Sequence, residues 1–133
     1  MTIRVSSSIA NWKPKLLHRL KLPEWHWRIT RDEPCLFVGM YHAGDCARLR
    51  WHRGEVRILW CGSDLSSITK RRADFLSGIH ATHFVENENE RAVLKTFNIR
   101  ATVVPMIFDD PEQYQPCFEQ SERPQVYLTA HPG

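Results

Sequence analysis

No apolar run in this chain approaches the ~20 residues that span a bilayer, and its first residues lack the long apolar segment of a secretory leader. Neither G-x-G-x-x-G nor G-x-x-x-x-G-K-[ST] occurs, so the ordinary dinucleotide and P-loop fingerprints are missing. Cysteine is sparse. Cys35, Cys46, Cys61 and Cys117 form no C-x-x-C pair, and two of them fall inside apolar strand-like runs. They read as reduced core residues, which makes a cytoplasmic location the expectation. No Ser/His/Asp or Cys/His arrangement carries a supporting local signature. His80 and His83 are three apart but span a helix end and a strand start, with no cysteine or carboxylate at a ligand spacing, so no metal is expected. Nothing repeats internally and no stretch is low in complexity. The net charge of +3 is mild. It calls for neither nucleic acid nor an anionic membrane, yet would not repel a phosphorylated ligand.

What is present is a chain of 133 residues, 42% hydrophobic and 25% charged, the composition of one globular domain with its own core. It is organised around residues 56–65. Val56, Ile58, Leu59, Trp60 and Cys61 form a short apolar run, as expected of a parallel strand covered on both faces. Gly62-Ser63-Asp64 is a sharp polar turn after it. Glycine permits an unusual backbone or a close approach, and Ser63 and Asp64 suit the start of a helix or the binding of a ligand. In open α/β sheets ligands gather beyond the carboxyl ends of strands, so this turn is the first candidate site.

The rest of the chain reads in order. Residues 2–5 form a first short strand, followed by a serine turn at Ser6-Ser7-Ser8. Residues 12–22 carry Leu16, Leu17, Leu20 and Leu22 among lysines, Arg19 and His18, a basic amphipathic helix begun by Asn11 with Pro14 in its first turn. Peripheral membrane contact is one use of such a helix; a solvated face on a packed helix is the ordinary one. Residues 24–29, with Trp25 and Trp27, read as a short strand or an irregular segment, the tryptophans being core residues or the lining of a sugar site. Residues 35–41 form a second buried strand. His42-Ala43-Gly44-Asp45 is the turn at its end, with Asp45 capping a helix over 46–53 that Gly54 stops. A helix over 66–77 ends at Gly78. A strand at 82–85 precedes a helix with an explicit capping box, Asn87 and Glu90, whose inner face is Val93, Leu94 and Phe97. Asn98 is its left-handed stop and Ile99 the closing apolar contact. A strand at 102–104 ends at Pro105.

This alternation predicts an α/β class, a Rossmann-like parallel sheet with helices on both faces. Its strand ends would line one cleft with Tyr41 and His42, Gly62-Ser63-Asp64, Asn87 and Glu88, and Met106 with Asp109. Helix capping alone also accounts for Gly62-Ser63-Asp64 and for Asn87. The tail is rich in proline and polar residues to about 124, after which residues 126–130 look like a fresh strand ending in His131-Pro132-Gly133.

These segments resemble the amino-terminal half of glycosyltransferases built from two Rossmann-like domains, of the retaining, family-four-like kind. Gly62-Ser63-Asp64 is similar to their His-Gly-x-Asp turn, with Cys61 where histidine is common. Residues 82–91 with Leu94 resemble their segment of alternating apolar residues, serine and glutamate, with Asn87 at the serine position. Val103-Val104-Pro105-Met106 resembles the turn before the domain linker. Residues 126–133 resemble the first strand and glycine turn of the donor-binding domain. Ser6-Ser7-Ser8 stands where the family has a glycine-rich acceptor loop.

The resemblance implies a Rossmann-like domain over 1–120, and over 121–133 a linker and the start of a donor-binding domain. It implies a nucleotide-sugar substrate, a carbohydrate acceptor, and no separate cofactor. Gly62, Ser63 and Asp64 would shape the acceptor side, Tyr41, His42 and Asn87 would line it, and Gly133 would sit near the donor diphosphate. The family's catalytic carboxylates belong to the second domain, so the chain alone is expected to be inactive. The alternative is a stand-alone Rossmann-like binding or interaction module, in which residues 126–130 would pair into this same sheet.

Overall fold

A computed structural model describes residues 1–104. The features expected at Met106, Asp109, Cys117, residues 126–130 and Gly133, and the domain boundary near 120, lie outside the described residues.

Among the described residues the sheet has five parallel strands in chain order: β1 (Thr2–Val5), β2 (Cys35–Val38), β3 (Val56–Leu59), β4 (Ala81–Val85) and β5 (Ala101–Val103). Between them lie a 3-10 segment (Ser7–Trp12), α1 (Lys13–Leu20), α2 (Ala43–Trp51), the single turn α3 (Ser63–Ser66), α4 (Lys70–Ser77) and α5 (Glu88–Thr96). The strands are buried and rich in Val, Ile, Leu and Phe because both faces are covered, and successive side chains divide between two cores. Cys35, Phe37, Ile58, Trp60 and Val85 face one way, against Cys46 and Leu49 of α2, Leu76 of α4 and Leu94 of α5. Ile3, Val5 and Val38 face the other way, against Ile9 of the 3-10 segment and Leu16 of α1. Helices therefore cover both faces, as the sequence predicts.

A purely consecutive sheet with right-handed crossovers would place every helix on one face. The exception is explained at Glu24. Ile3 makes a parallel bridge to Glu24. Its amide donates to the Pro23 carbonyl at 3.0 Å, and its carbonyl accepts from the Trp25 amide at 2.8 Å. One residue's N–H and C=O point to the same strand edge, so this bridge lies on the side of β1 away from β2. The chain thus runs outward from β1 through α1 to a one-residue remnant of a strand, then returns beneath the sheet through Trp25 to β2. Counting that remnant, the winding reverses between β1 and β2, and such a reversal opens a crevice at the carboxyl ends of the two strands.

Several boundaries differ from expectation. The strand expected over 35–41 ends at Val38, because Gly39 adopts φ +78° and turns the chain. The strand expected to reach Cys61 ends at Leu59. The helix expected from Cys46 begins at Ala43, with His42 at the N-cap and Asp45 in its first turn. Gly54 is not its stop. His52 is the C-cap, and a Cβ on Gly54 would come within 2.3 Å of the Glu33 carbonyl oxygen. The helix expected over 66–77 is two helices, the second capped by the Thr69 side chain, which accepts from the Arg72 amide. Asn11 lies inside the 3-10 segment and does not start α1; the Ser6 side chain caps that segment. Val93 is exposed, so the inner face of α5 rests on Leu94. Asn87 caps α5 as expected, but the capping box does not close, since Glu90 reaches back to the Glu86 amide and the Asn87 side chain rather than the Asn87 amide; Asn98 takes φ +60°. Trp25 is core while Trp27 is exposed, and residues 24–29 form no strand beyond the bridge. No helix among the described residues is long and apolar enough to cross a membrane.

Candidate functional site

The loops after β1, β2 and β3 are tied to one another by carboxylates from the first turns of α2 and α3. Asp45 is buried in the first turn of α2. Its Oδ2 accepts from Ser6 Oγ at 2.8 Å, from the Tyr41 amide at 3.1 Å and from the His42 amide at 3.3 Å. It therefore joins the loop after β1 to the loop after β2.

Asp64 does the same one strand along. Its Oδ2 accepts from the Met40 amide at 2.9 Å and its Oδ1 from the Cys61 amide at 3.1 Å. Asp64 is fully buried. Burial pushes its carboxyl above the usual range, opposed by the backbone amides that bond to it. The carboxylate is thus turned inward and used by the fold.

Beyond β4, Glu90 accepts from the Glu86 amide at 2.9 Å and from Asn87 Nδ2 at 3.0 Å. A Cβ on Gly62 would stand 2.8 Å from Glu90 Oε1. Gly62 (φ +73°) therefore meets two demands, a left-handed turn and close passage of the neighbouring carboxylate. Arg72 of α4 closes the set from behind, donating to the Met40 carbonyl at 3.2 Å, the Tyr41 carbonyl at 2.5 Å and the Ser67 carbonyl.

On this base two polar pairs stand open. The Tyr41 hydroxyl and Ser63 Oγ are 2.7 Å apart. Burial raises the Tyr41 phenol, with the Ser63 bond opposing, so it stays a neutral hydroxyl. Ser7 Oγ and His42 Nε2 are 2.9 Å apart, joining the β1 loop to the N-cap of α2. Ser7 and Ser63 are exposed, and Tyr41 and His42 half-buried. Cys61 adds no nucleophile. Burial first, then the charge of Asp64, pushes its thiol up to about 12, leaving it protonated.

The sequence-predicted residues therefore separate. Tyr41, His42 and Ser63 present polar groups at the edge, and Gly62 shapes the turn between them. Asp64 is sealed beneath. Asn87 is occupied by capping, accepting from the Glu90 amide at 3.0 Å. Glu88 pairs with Arg91 and lines a groove of about 740 Å³ with Lys95 and Arg100, along α5 and the start of β5. That groove runs the length of α5, from Glu88 just past β4 to the start of β5, and includes none of Ser7, Tyr41, His42 or Ser63. Met106 and Gly133 lie outside the described residues.

Sequence reasoning missed Ser7 as a site residue and Asp45 as the link to Ser6. The serine run directly after a strand was the available signal. The β1–β2 reversal was not readable, because it depends on a single bridge. His83 is buried rather than a ligand, its Nδ1 accepting from Trp60 Nε1 at 3.2 Å. Among the described residues no group of three His, Cys, Asp or Glu side chains is close enough to hold a metal ion. No family model, curated protein or solved structure matches the chain.

Proposed function

We propose that this chain is the acceptor-side Rossmann-like domain of a glycosyltransferase, which moves a sugar from a nucleotide-sugar donor to a carbohydrate acceptor. The observation that carries the reading is the open row of Ser7, His42, Tyr41 and Ser63 at the carboxyl edge. Hydroxyls and an imidazole both donate and accept, which matches the hydrogen-bonding character of a sugar's hydroxyl groups. The row sits on a base tied by Asp45, Asp64 and Arg72, so its groups are held before a ligand arrives, which lowers the ordering cost of binding. In such an enzyme this domain contributes positioning, while stabilisation of the departing diphosphate falls to the donor-binding half.

The test is calorimetry on the 133-residue chain with a panel of mono- and disaccharides and, separately, nucleotide sugars. The reading predicts heats with some carbohydrates, lost in Tyr41→Phe combined with Ser63→Ala, and no sugar transfer from any nucleotide sugar. Transfer by this chain alone, or carbohydrate binding indifferent to those substitutions, would contradict it.

A further inference from the structure

The pairing of Ser7 with His42 has a third member. His42 Nδ1 stands 3.5 Å from Asp45 Oδ2, on the opposite side of the ring from the nitrogen that meets Ser7 Oγ at 2.9 Å. Serine oxygen and imidazole are hydrogen-bonded, and the buried carboxylate lies beside the other ring nitrogen at a separation longer than a hydrogen bond; the order is that of the groups that activate a serine nucleophile on several unrelated folds, where such contacts tighten when substrate binds. We propose that Ser7, His42 and Asp45 form a hydrolytic site for small carboxylic esters, with Ser7 as nucleophile, His42 as base and Asp45 as the residue that orients it.

Each member is placed for its part. Ser7 is exposed, in the turn where β1 passes directly into a 3-10 segment, a strand-to-helix position that presents a nucleophile at a sheet edge. Asp45 is 3% exposed, and its Oδ2 is fixed by Ser6 Oγ and the amides of Tyr41 and His42. A carboxylate held by three donors cannot turn away from the ring. With its proton on Nε2, His42 caps α2 by accepting from the Asp45 amide. With its proton on Nδ1, the ring faces the Asp45 carboxylate, and Nε2 can accept the Ser7 proton. The base function uses the second tautomer. Ala43 and Gly44, the first two residues of α2, follow His42 directly, and their amides have no intrahelical acceptor. In this proposal they serve the developing oxyanion. Gly44 also keeps the ring clear, since a Cβ there would stand 3.0 Å from His42 Nδ1.

In the first step Ser7 Oγ bonds to the ester carbonyl carbon and its proton passes to His42 Nε2. The ester C–O bond then breaks, and the departing alkoxide takes that proton and leaves as the alcohol. Water attacks the acyl-serine, giving its proton to His42. Collapse releases the carboxylic acid and returns the proton to Ser7.

This site shares Ser7 and His42 with the carbohydrate reading but tests separately, since it concerns a covalent adduct on Ser7, whereas the carbohydrate test reads heats lost with Tyr41 and Ser63. The test uses the whole chain with a fluorophosphonate probe, intact mass and peptide mapping, alongside hydrolysis of p-nitrophenyl acetate. One adduct is expected, on Ser7. Ser7→Ala should abolish it and lower hydrolysis by ~100-fold or more, the range of base-assisted catalysis. His42→Gln, which can still cap the helix, should slow adduct formation by a similar factor with an unchanged circular dichroism spectrum. Absence of an adduct on the folded chain, an adduct on another serine, or hydrolysis unchanged in Ser7→Ala would overturn the proposal.

Discussion

The two sides of the sheet's carboxyl edge use the same residue types to opposite ends. On the β3–β4 side, polar groups are buried and paired within the protein: Asp64 with two backbone amides, Trp60 with His83. Toward β1 and β2, Ser7 pairs with His42, and Tyr41 with Ser63 of the β3 loop, in reach of solvent. The difference follows from winding. Beyond β2 every crossover proceeds in one direction, and Asp64 of α3 ties the β2 loop to the β3 loop. At β1 the chain turns the other way, to Glu24, and the gap between outgoing and returning paths stays open. Buried carboxylates staple both sides, Asp45 between the β1 and β2 loops and Asp64 between the β2 and β3 loops, and what distinguishes the open side is the exposed hydroxyls and imidazole left above Asp45 to serve a ligand.

The sharpest way to break this comparison is at Asp64. Removing the carboxylate leaves the Met40 and Cys61 amides without their acceptor, at about 1–3 kcal/mol for each buried donor. We expect Asp64→Ala to lose about 3 kcal/mol in urea denaturation, with Asp64→Asn losing less. A change within experimental error would mean that the closed side is not stapled.

Acid tests the same side. Burial holds the His83 imidazole down at about 4, against an ordinary value near 6.5 in the unfolded chain. Between those values the unfolded chain takes up a proton that the folded one refuses. His83 thus costs nothing above about pH 6.5, and stability falls as pH drops from there to about 4, by about 3 kcal/mol in all. His83→Gln, whose amide oxygen can still accept from Trp60, should remove that part of the acid sensitivity in denaturation curves taken across the window. An unchanged slope would refute the buried neutral imidazole.

Gly62 lies where the two sides meet. A side chain there must adopt φ +73° and displace the Glu90 carboxylate. Glu90 can swing aside, so most of the cost is backbone strain, and Gly62→Ala should lower stability by about 1 kcal/mol. A stabilised variant would show that the turn tolerates an ordinary conformation.

The smallest effect belongs to the open side. Tyr41→Phe removes one exposed hydrogen bond to Ser63 and should shift stability by less than about 1 kcal/mol. A loss as large as that of Asp64→Ala would erase the distinction between staple and site.

How much of this was legible follows from what each feature depends on. The strands, the Asn87 cap and the αL stop at Asn98 rest on neighbouring residues, and the sequence displays them. The outward path of β1 rests on one bridge at Glu24, which leaves no periodic trace. The burial of Asp64 rests on its partner being Met40, a contact across two strands that local spacing does not encode. An aspartate after Gly-Ser reads as a cap or a ligand-binding group. Only the position of the β2 loop reveals that it is a staple. Ser7 was hidden for a related reason, because its partner His42 is 35 residues away.

The central claim, that the open β1–β2 side is where this protein meets a ligand, is tested most directly by amide chemical-shift mapping. The chain, isotope-labelled, would be titrated with the carbohydrate that gives the strongest heat in calorimetry. The account predicts that the largest shifts fall on Ser7, Tyr41, His42 and Ser63, with little change at Glu88, Arg91 and Lys95. Shifts centred on the groove along α5, with the serine, tyrosine and histidine signals unmoved, would contradict it.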